Sequence, residues 1–565
     1  MLKGHPRALY VAFFANMGER FGFYTMMACL VFFLQARYGL AEDMAGEFYS
    51  WFYFFIYALA VLGGFIADRT QKYKTTIFAG IVTMFAGYVL MATPGLSLAV
   101  TLSALMIIAF GNGLFKGNLQ AVVGQMYDDP KYNKFRDSAF MIFYMGINIG
   151  AFFAPSAANG VRNWYMKTKG LMYDADVAKY ATKFNNGDAI AEADMSKFQT
   201  LAESSVVDGY NTTELFSTGL ESFSANYMEV FSTGYNYAFG VAAFAMLISL
   251  LVYSLFQKML PDMRQIAQKA KENKTEAVKM PWSEEKPRLI SLGLVFIVVI
   301  FFWMSFHQNG LTLSFFARDY TANEVNQFTN IFFDLRSFLS VIGVIIGLVL
   351  LLRKKMSSMF RLIGAGLIAV GGYLSYYFYN SFEPLNRIEP EIFQHFNPVF
   401  IVFLTPLIIA FFAWLQKRGK EPSTPRKIGI GMIIATIGFV VMIFASMSLI
   451  GSSPAALDGD PSPYRVSPYW LINTYLILTI AELFLSPIGI SFVSKVSPPR
   501  FQGLMQGGWL FATAIGNKLL FVGSMMWVRI ELWQVWLIFV VCCILSVIFI
   551  FSIMKRLERV TSSSE

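Results

Sequence analysis

Apolar runs long enough to cross a bilayer recur in this chain from about residue 8 to about residue 554, and that pattern leaves little choice of fold. In lipid no water satisfies the backbone, so each crossing segment must pair its own N–H and C=O groups. A run of roughly 20 residues does this as one helix. Of 565 residues 56% are hydrophobic and only 14% charged. A soluble domain would carry about a quarter charged residues. The reading is an all-α polytopic membrane protein. The formal charge of +9 does not point to nucleic acid, because Lys and Arg sit in short clusters between the runs. Such clusters hold connecting turns on the cytoplasmic side.

Six runs, at about 8–36, 46–67, 75–93, 97–125, 138–158 and 235–258, make up a first half, residues 1–258. It contains a polar insertion, 160–232, expected outside. A basic linker, 259–288, leads to a second half, 289–565, with runs at about 289–316, 397–415, 428–450, 469–496, 501–527 and 532–554. Two additional runs within that half, about 330–352 and 358–380, form a hairpin turning at Arg353-Lys354-Lys355. Fourteen helices with both termini cytoplasmic put the clusters at Arg69–Lys74, Lys131–Arg136, Lys258–Arg288, Arg353–Lys355, Lys417–Lys420 and Lys555-Arg556 on one side. Dropping one helix would strand three or more of them outside. No cleavable leader is evident at Met1-Leu2-Lys3. Cys29, Cys542 and Cys543 all lie in apolar runs and suggest no disulfide framework. Zinc spacing, nucleotide-binding glycine loops and hydrolytic triads are missing from the sequence, so neither an enzyme nor a cofactor is indicated. Gly111-Asn112-Gly113 lacks the third glycine and the strand of a dinucleotide site.

Charges inside the runs are the functional signal. Glu19 and Arg20 interrupt the first run, Lys116 the fourth, and Glu482 the tenth helix of the twelve-helix core. Each costs about 2.5–3.5 kcal/mol on insertion scales, so each must face a partner or a wet cavity. His307 is the only histidine placed well inside a run, because His5 and His395 fall near helix ends.

Phe143-Tyr144-Met145-Gly146-Ile147-Asn148-Ile149-Gly150-Ala151-Phe152, with Arg136-Asp137-Ser138-Ala139-Phe140 before it, resembles a signature of the proton-coupled oligopeptide transporter family. Gly64–Arg69, Gly113–Asn118, Phe302-Trp303 with Gln308, Asn397-Pro398, Glu421–Pro425, Glu482–Gly489 and Gln502–Met505 match it in order. The resemblance spans both halves except the insertion and the hairpin. It implies the major facilitator fold, two six-helix bundles around a midplane site, here with an extra helix pair. The extra pair reads as a peripheral scaffold; bacterial relatives that carry one have it between the halves, whereas this one lies past the seventh helix, with Asp334 and Arg336 near its outer end placed to pair locally or to touch the entrance.

The resemblance further implies symport of di- and tripeptides with protons, by a monomer in a bacterial inner membrane with no cofactor. A zwitterionic peptide needs cations for its carboxylate and an anion for its amine. Arg20 offers a planar fork and Lys116 a point charge, with Glu482 opposite. Tyr24, Tyr57, Asn148, Asn397 and Trp509 fall at pocket-lining positions. Proton coupling departs from the family pattern. Asn16 replaces the first glutamate of the first-helix motif, leaving Glu19. Met27 and His307 replace an arginine and a glutamate that pair across the outer gate. Loss of both charges together is what pairing predicts. His307, ordinarily titrating near pH 6.5, is a candidate proton-binding group alongside Glu19 and Lys116, and a hydrogen bond from it is expected to help close the gate. The competing readings are the same fold carrying nitrate or another small solute, and a membrane receptor that binds without transport.

Overall fold

A computed structural model describes residues 5–127, 131–132, 135–261, 280–353, 356–457 and 459–562. Most of the basic linker, Lys134 and the Lys354-Lys355 turn lie outside the described residues. Among the described residues fourteen helices are long and apolar enough to cross a membrane. The first bundle comprises α1 (Ala8–Tyr38), α2 (Glu42–Thr70), α3 (Tyr73–Met91), α4 (Leu98–Gln125), α5 (Arg136–Thr168) and, after an insertion with short helices of its own, α8 (Leu220–Phe256). The longer helices of the insertion are α6 (Ala175–Asn186) and α7 (Glu192–Ser204), followed by a single turn at Thr212–Leu215.

In the second bundle the first crossing is broken. It runs as α9 (Trp282–Phe306), a tight turn at His307–Gly310, and α10 (Thr312–Asp319). The hairpin α11 (Leu335–Leu352) and α12 (Ser358–Ser381) follows, then α13 (Phe396–Lys417), α14 (Thr424–Ser446) and α15 (Tyr469–Val496). The eleventh crossing of the core is split into α16 (Gln502–Lys518) and α17 (Phe521–Trp527), and α18 (Leu532–Ser552) completes the set.

Lipid supplies no hydrophobic drive between helices, so close backbone approach does the work, and small residues permit it. α1 is the innermost helix, 78% of its apolar window being buried. Gly150 of α5 sits so close to it that a methyl there would lie 2.7 Å from the Met17 carbonyl. Gly18 meets Ser249 of α8 in the same way. The glycines therefore pin the helix that carries Glu19 and Arg20 between two neighbours.

The insertion is smaller than its polar composition suggests. α5 reaches Thr168 and α8 starts at Leu220, so only 169–219 lies outside these helices, not 160–232. At 1.5 Å per residue the 33-residue α5 outruns the ~30 Å hydrocarbon core and projects beyond it. The residue between is ordered, not a loose loop. Asp174 caps α6 by accepting from the Asp176 and Val177 amides, and Tyr180, Phe198, Phe223 and Tyr227 form a small aromatic core.

The α11–α12 hairpin packs mainly on itself, through Gly347 against Gly364 and Gly371 against Ser340. Its apolar windows are 22% and 11% buried, which leaves most of its surface for lipid. A two-stranded link, β1 (Glu324–Val325) antiparallel to β2 (Asn386–Arg387), closes its outer end. Asp334 and Arg336 pair with each other there, 3.0 Å apart, and not with the entrance.

Candidate functional site

The α1 charges pair first with each other. Glu19 accepts two hydrogen bonds from Arg20, Nε at 2.5 Å and Nη2 at 2.6 Å, and a third from Asn112 Nδ2 of α4 at 2.6 Å. Both side chains are buried. This is the bidentate, charge-assisted geometry in which arginine binds carboxylates. Four residues on from Asn112, Lys116 lays its ammonium over the Tyr57 ring, 3.9 Å from its centre. Among the described residues it has no ion-pair partner, though Glu19 attracts it and Arg20 repels it.

On the other half, Asn397 of α13 donates to Glu482 of α15 and to Thr479, each at 3.0 Å. Among the described residues Glu482 forms no ion pair, with Lys495 or any other cation. Its charge acts on Tyr24, Tyr57 and Tyr144, all of the first half. Tyr144 is 40% exposed, whereas Arg20 and Glu482 are buried. The predicted cations and the predicted anion therefore stand on opposite bundles with tyrosines between them.

Asn148 donates to the Tyr144 carbonyl one turn back, a bond within its own helix. Trp509 is buried on the second half, its ring against Gly489 and 6.5 Å from that of Phe296. His307 is also buried. Its ring stacks on Trp303, centres 4.6 Å apart, and meets Tyr53 of α2 at 4.5 Å. Nδ1 lies 2.6 Å from Asn517 Oδ1. That hydrogen bond stays within the second bundle and does not tie the halves. What His307 gives the gate is a ring contact with Tyr53, while Met27 lies in the core. Asn16 is buried, and its amide nitrogen has no hydrogen-bond partner among the described residues.

The charges that do tie the halves were not singled out from sequence. Arg318 of α10 pairs with Glu42 of α2 at 2.9 Å, and Lys518 of α16 with Glu47 at 2.6 Å. Arg162 of α5 pairs with Glu391 at 2.5 Å and Glu389 at 2.9 Å. From the outer insertion, Asp176 meets Arg465 and Lys183 meets Asp460, both at 2.7 Å. Among the described residues every ion pair between the halves lies on the side away from the basic turns. Arg500–Glu285 and Arg426–Glu558, on the basic side, each stay within the second half. Among the described residues these ion pairs between the halves thus gather at one face, and Tyr144 of α5 and Leu504 of α16 are exposed. No group of three or more His, Cys, Asp or Glu among the described residues could hold a metal.

The POT family signature matches residues 74–282 and 380–532. An uncharacterized transporter, YclF, of Bacillus subtilis is 28% identical over 527 residues, covering 91% of this chain and 87% of its own. The peptide transporter YePEPT of Yersinia enterocolitica is 25% identical, covering 91% and 86%. The crystal structure of a peptide transporter POT in complex with sulfate superposes with a TM-score of 0.64 at 20% identity, over 99% of this chain and 96% of that one. With the signature spanning well over half its length in both bundles, and the fold shared, the chain belongs to the POT family.

Proposed function

We propose that this protein is a secondary active transporter that takes up di- and tripeptides together with protons. The halves 1–258 and 289–565 rock about the central site, in a bacterial inner membrane, with both termini cytoplasmic and one chain sufficient. The observation that carries the reading is the opposition of Arg20 and Lys116 on one bundle to Glu482 on the other. A peptide's carboxylate and amine meet those poles at once. Tyr24, Tyr57, Asn148, Asn397 and Trp509 line the path between them, tyrosines supplying an apolar face and a polar tip that suit varied side chains. The ion pairs that join the halves on the outer face support an inward-facing state. Membership of a transporter family, with a relative named a peptide transporter, supports transport over catalysis.

Coupling follows from the Glu19 bond pattern. With Glu19 ionised, Arg20 is occupied by it. A proton on Glu19 weakens both bonds and frees the guanidinium for a substrate carboxylate, so proton and peptide bind in concert. Lys116 then takes part in the charge exchange, and His307, within electrostatic range of Lys116, is the second proton-binding candidate. One charge crossing 100 mV supplies about 2.3 kcal/mol, roughly a fifty-fold gradient of peptide.

Proteoliposome uptake of labelled dialanine, with and without an imposed pH gradient, tests this. Accumulation that needs the gradient is expected. Uptake that only equilibrates would mean facilitated diffusion, binding without uptake a receptor, and nitrate uptake in place of dialanine the other cargo. If His307→Gln leaves accumulation intact, His307 is not a coupling residue.

A further inference from the structure

We propose that Arg162, Glu389 and Glu391 form a proton-dependent latch on the outer gate, closed when Glu389 carries a proton and loosened when it does not. The family-type outer pair is absent, its positions being Met27 and His307, and a different charge cluster bridges the halves. Arg162 on α5 is fully buried and holds two carboxylates from the segment leading into α13. Glu391 is sealed, with Arg162 Nη1 at 2.5 Å, the Tyr235 hydroxyl donating at 2.9 Å and Asn159 at 3.3 Å. Glu389 is the outer and looser member. Its side chain keeps 17% of its surface, its second oxygen accepts from Asn163, and its 2.9 Å approach to Arg162 Nη2 is not aligned as a hydrogen bond.

The charges do not balance. Two carboxylates against one guanidinium leave one negative charge in excess in a buried interface, which is costly unless a proton neutralises it. Arg162 is the only cation paired with either carboxylate among the described residues. The other groups facing the cluster are Asn159 and Asn163 of α5, Tyr227 and Tyr235 of α8, Tyr173 of the intervening loop and Cys29 of α1, with the Arg387–Asp174 ion pair, 3.3 Å apart, beside Tyr227. Burial raises the Glu389 pKa, opposed by Arg162 and reinforced by Glu391. In the open gate the same carboxyl is solvated and titrates normally. The closed state therefore binds the proton more tightly, and closure is favoured in acid and lost as pH rises through the closed-state value. The proton comes from outer water to a Glu389 oxygen and returns there on opening, so it senses outside acidity and adds nothing to transport stoichiometry.

The inference rests on the alternating-access reading for an outer-open state, but not on peptide as cargo. Spin labels at Lys169→Cys and Met447→Cys, both exposed on outer ends of opposite halves, with Cys542→Ala, report the outer distance in nanodiscs. In the otherwise native protein the long-distance population should grow as pH is raised above the ordinary carboxyl range, by at most about tenfold per pH unit for one proton. Glu389→Gln, neutral at all pH, should hold the short distance throughout. Asp334→Asn, at an exposed local pair, should behave as the native protein. A long-distance population that appears but ignores pH sinks the latch alone, as does a Glu389→Gln variant with the native pH response, since Glu19 or His307 would then be the sensor. No long distance under any condition sinks latch and alternation together.

Discussion

Glu19 accepts from Arg20 twice and from Asn112 once, so at the scale of single residues it fixes the charge state of the site. Glu19→Gln leaves Arg20 buried without its counter-charge, and losing one partner of a buried pair costs about 3–5 kcal/mol. The expected result is a lower melting temperature in detergent and loss of gradient-driven accumulation. Peptide exchange without a gradient should survive, since a neutral glutamine mimics the protonated acid. Glu482 has a different task. Its partner among the described residues is the neutral Asn397, so Glu482→Gln should fold normally. It should raise the KM for dialanine about tenfold or more, the loss of one charge-assisted contact of about 1.5–3 kcal/mol. N-acetylated dialanine, which has no ammonium, should be taken up equally by both forms. Equal loss for the two substrates would remove Glu482 from amine recognition.

At the scale of helices, glycine positions separate sharply by what surrounds them. A side chain at Gly150 would strike the backbone of α1 at Met17 and Phe21, whereas nothing lies within 4 Å of one at Gly117. Gly150→Val should cost at least the about 1–3 kcal/mol of an overpacked core and abolish folded protein on size exclusion; Gly117→Ala should elute and melt as the native chain. On the hairpin, Asp334→Ala removes the cap of α11 at about 1 kcal/mol and should leave uptake unchanged. The fourteen crossings were legible because each is a long apolar run, and Glu19, Arg20, Lys116 and Glu482 because a charge deep in such a run stands out. Arg162 falls just past the end of the run at about 138–158, where a charge ordinarily reaches the interface, whereas Lys518 lies inside the run at about 501–527, where the same rule applies to it. Their partners Glu391 and Glu47 are hundreds of residues away in sequence, so only the fold brings them together. The break at His307–Gly310 was hidden for a related reason: the apolar pattern continues through it into α10.

At the scale of the whole molecule, the two bundles are held at one face by a set of ion pairs among the described residues. Lys518→Ala breaks a pair whose glutamate is 39% exposed, so its effect is small, up to about 1 kcal/mol. That is a few-fold gain in outer accessibility, readable as faster labelling of a cysteine placed between the halves. Arg465–Asp176 and Lys183–Asp460 keep some solvent contact, yet at 2.7 Å such partly buried pairs lie far inside the about 8–10 Å over which mobile ions screen at physiological strength. Added sodium chloride therefore weakens this seam little, and uptake compared in dilute and concentrated salt should differ only modestly.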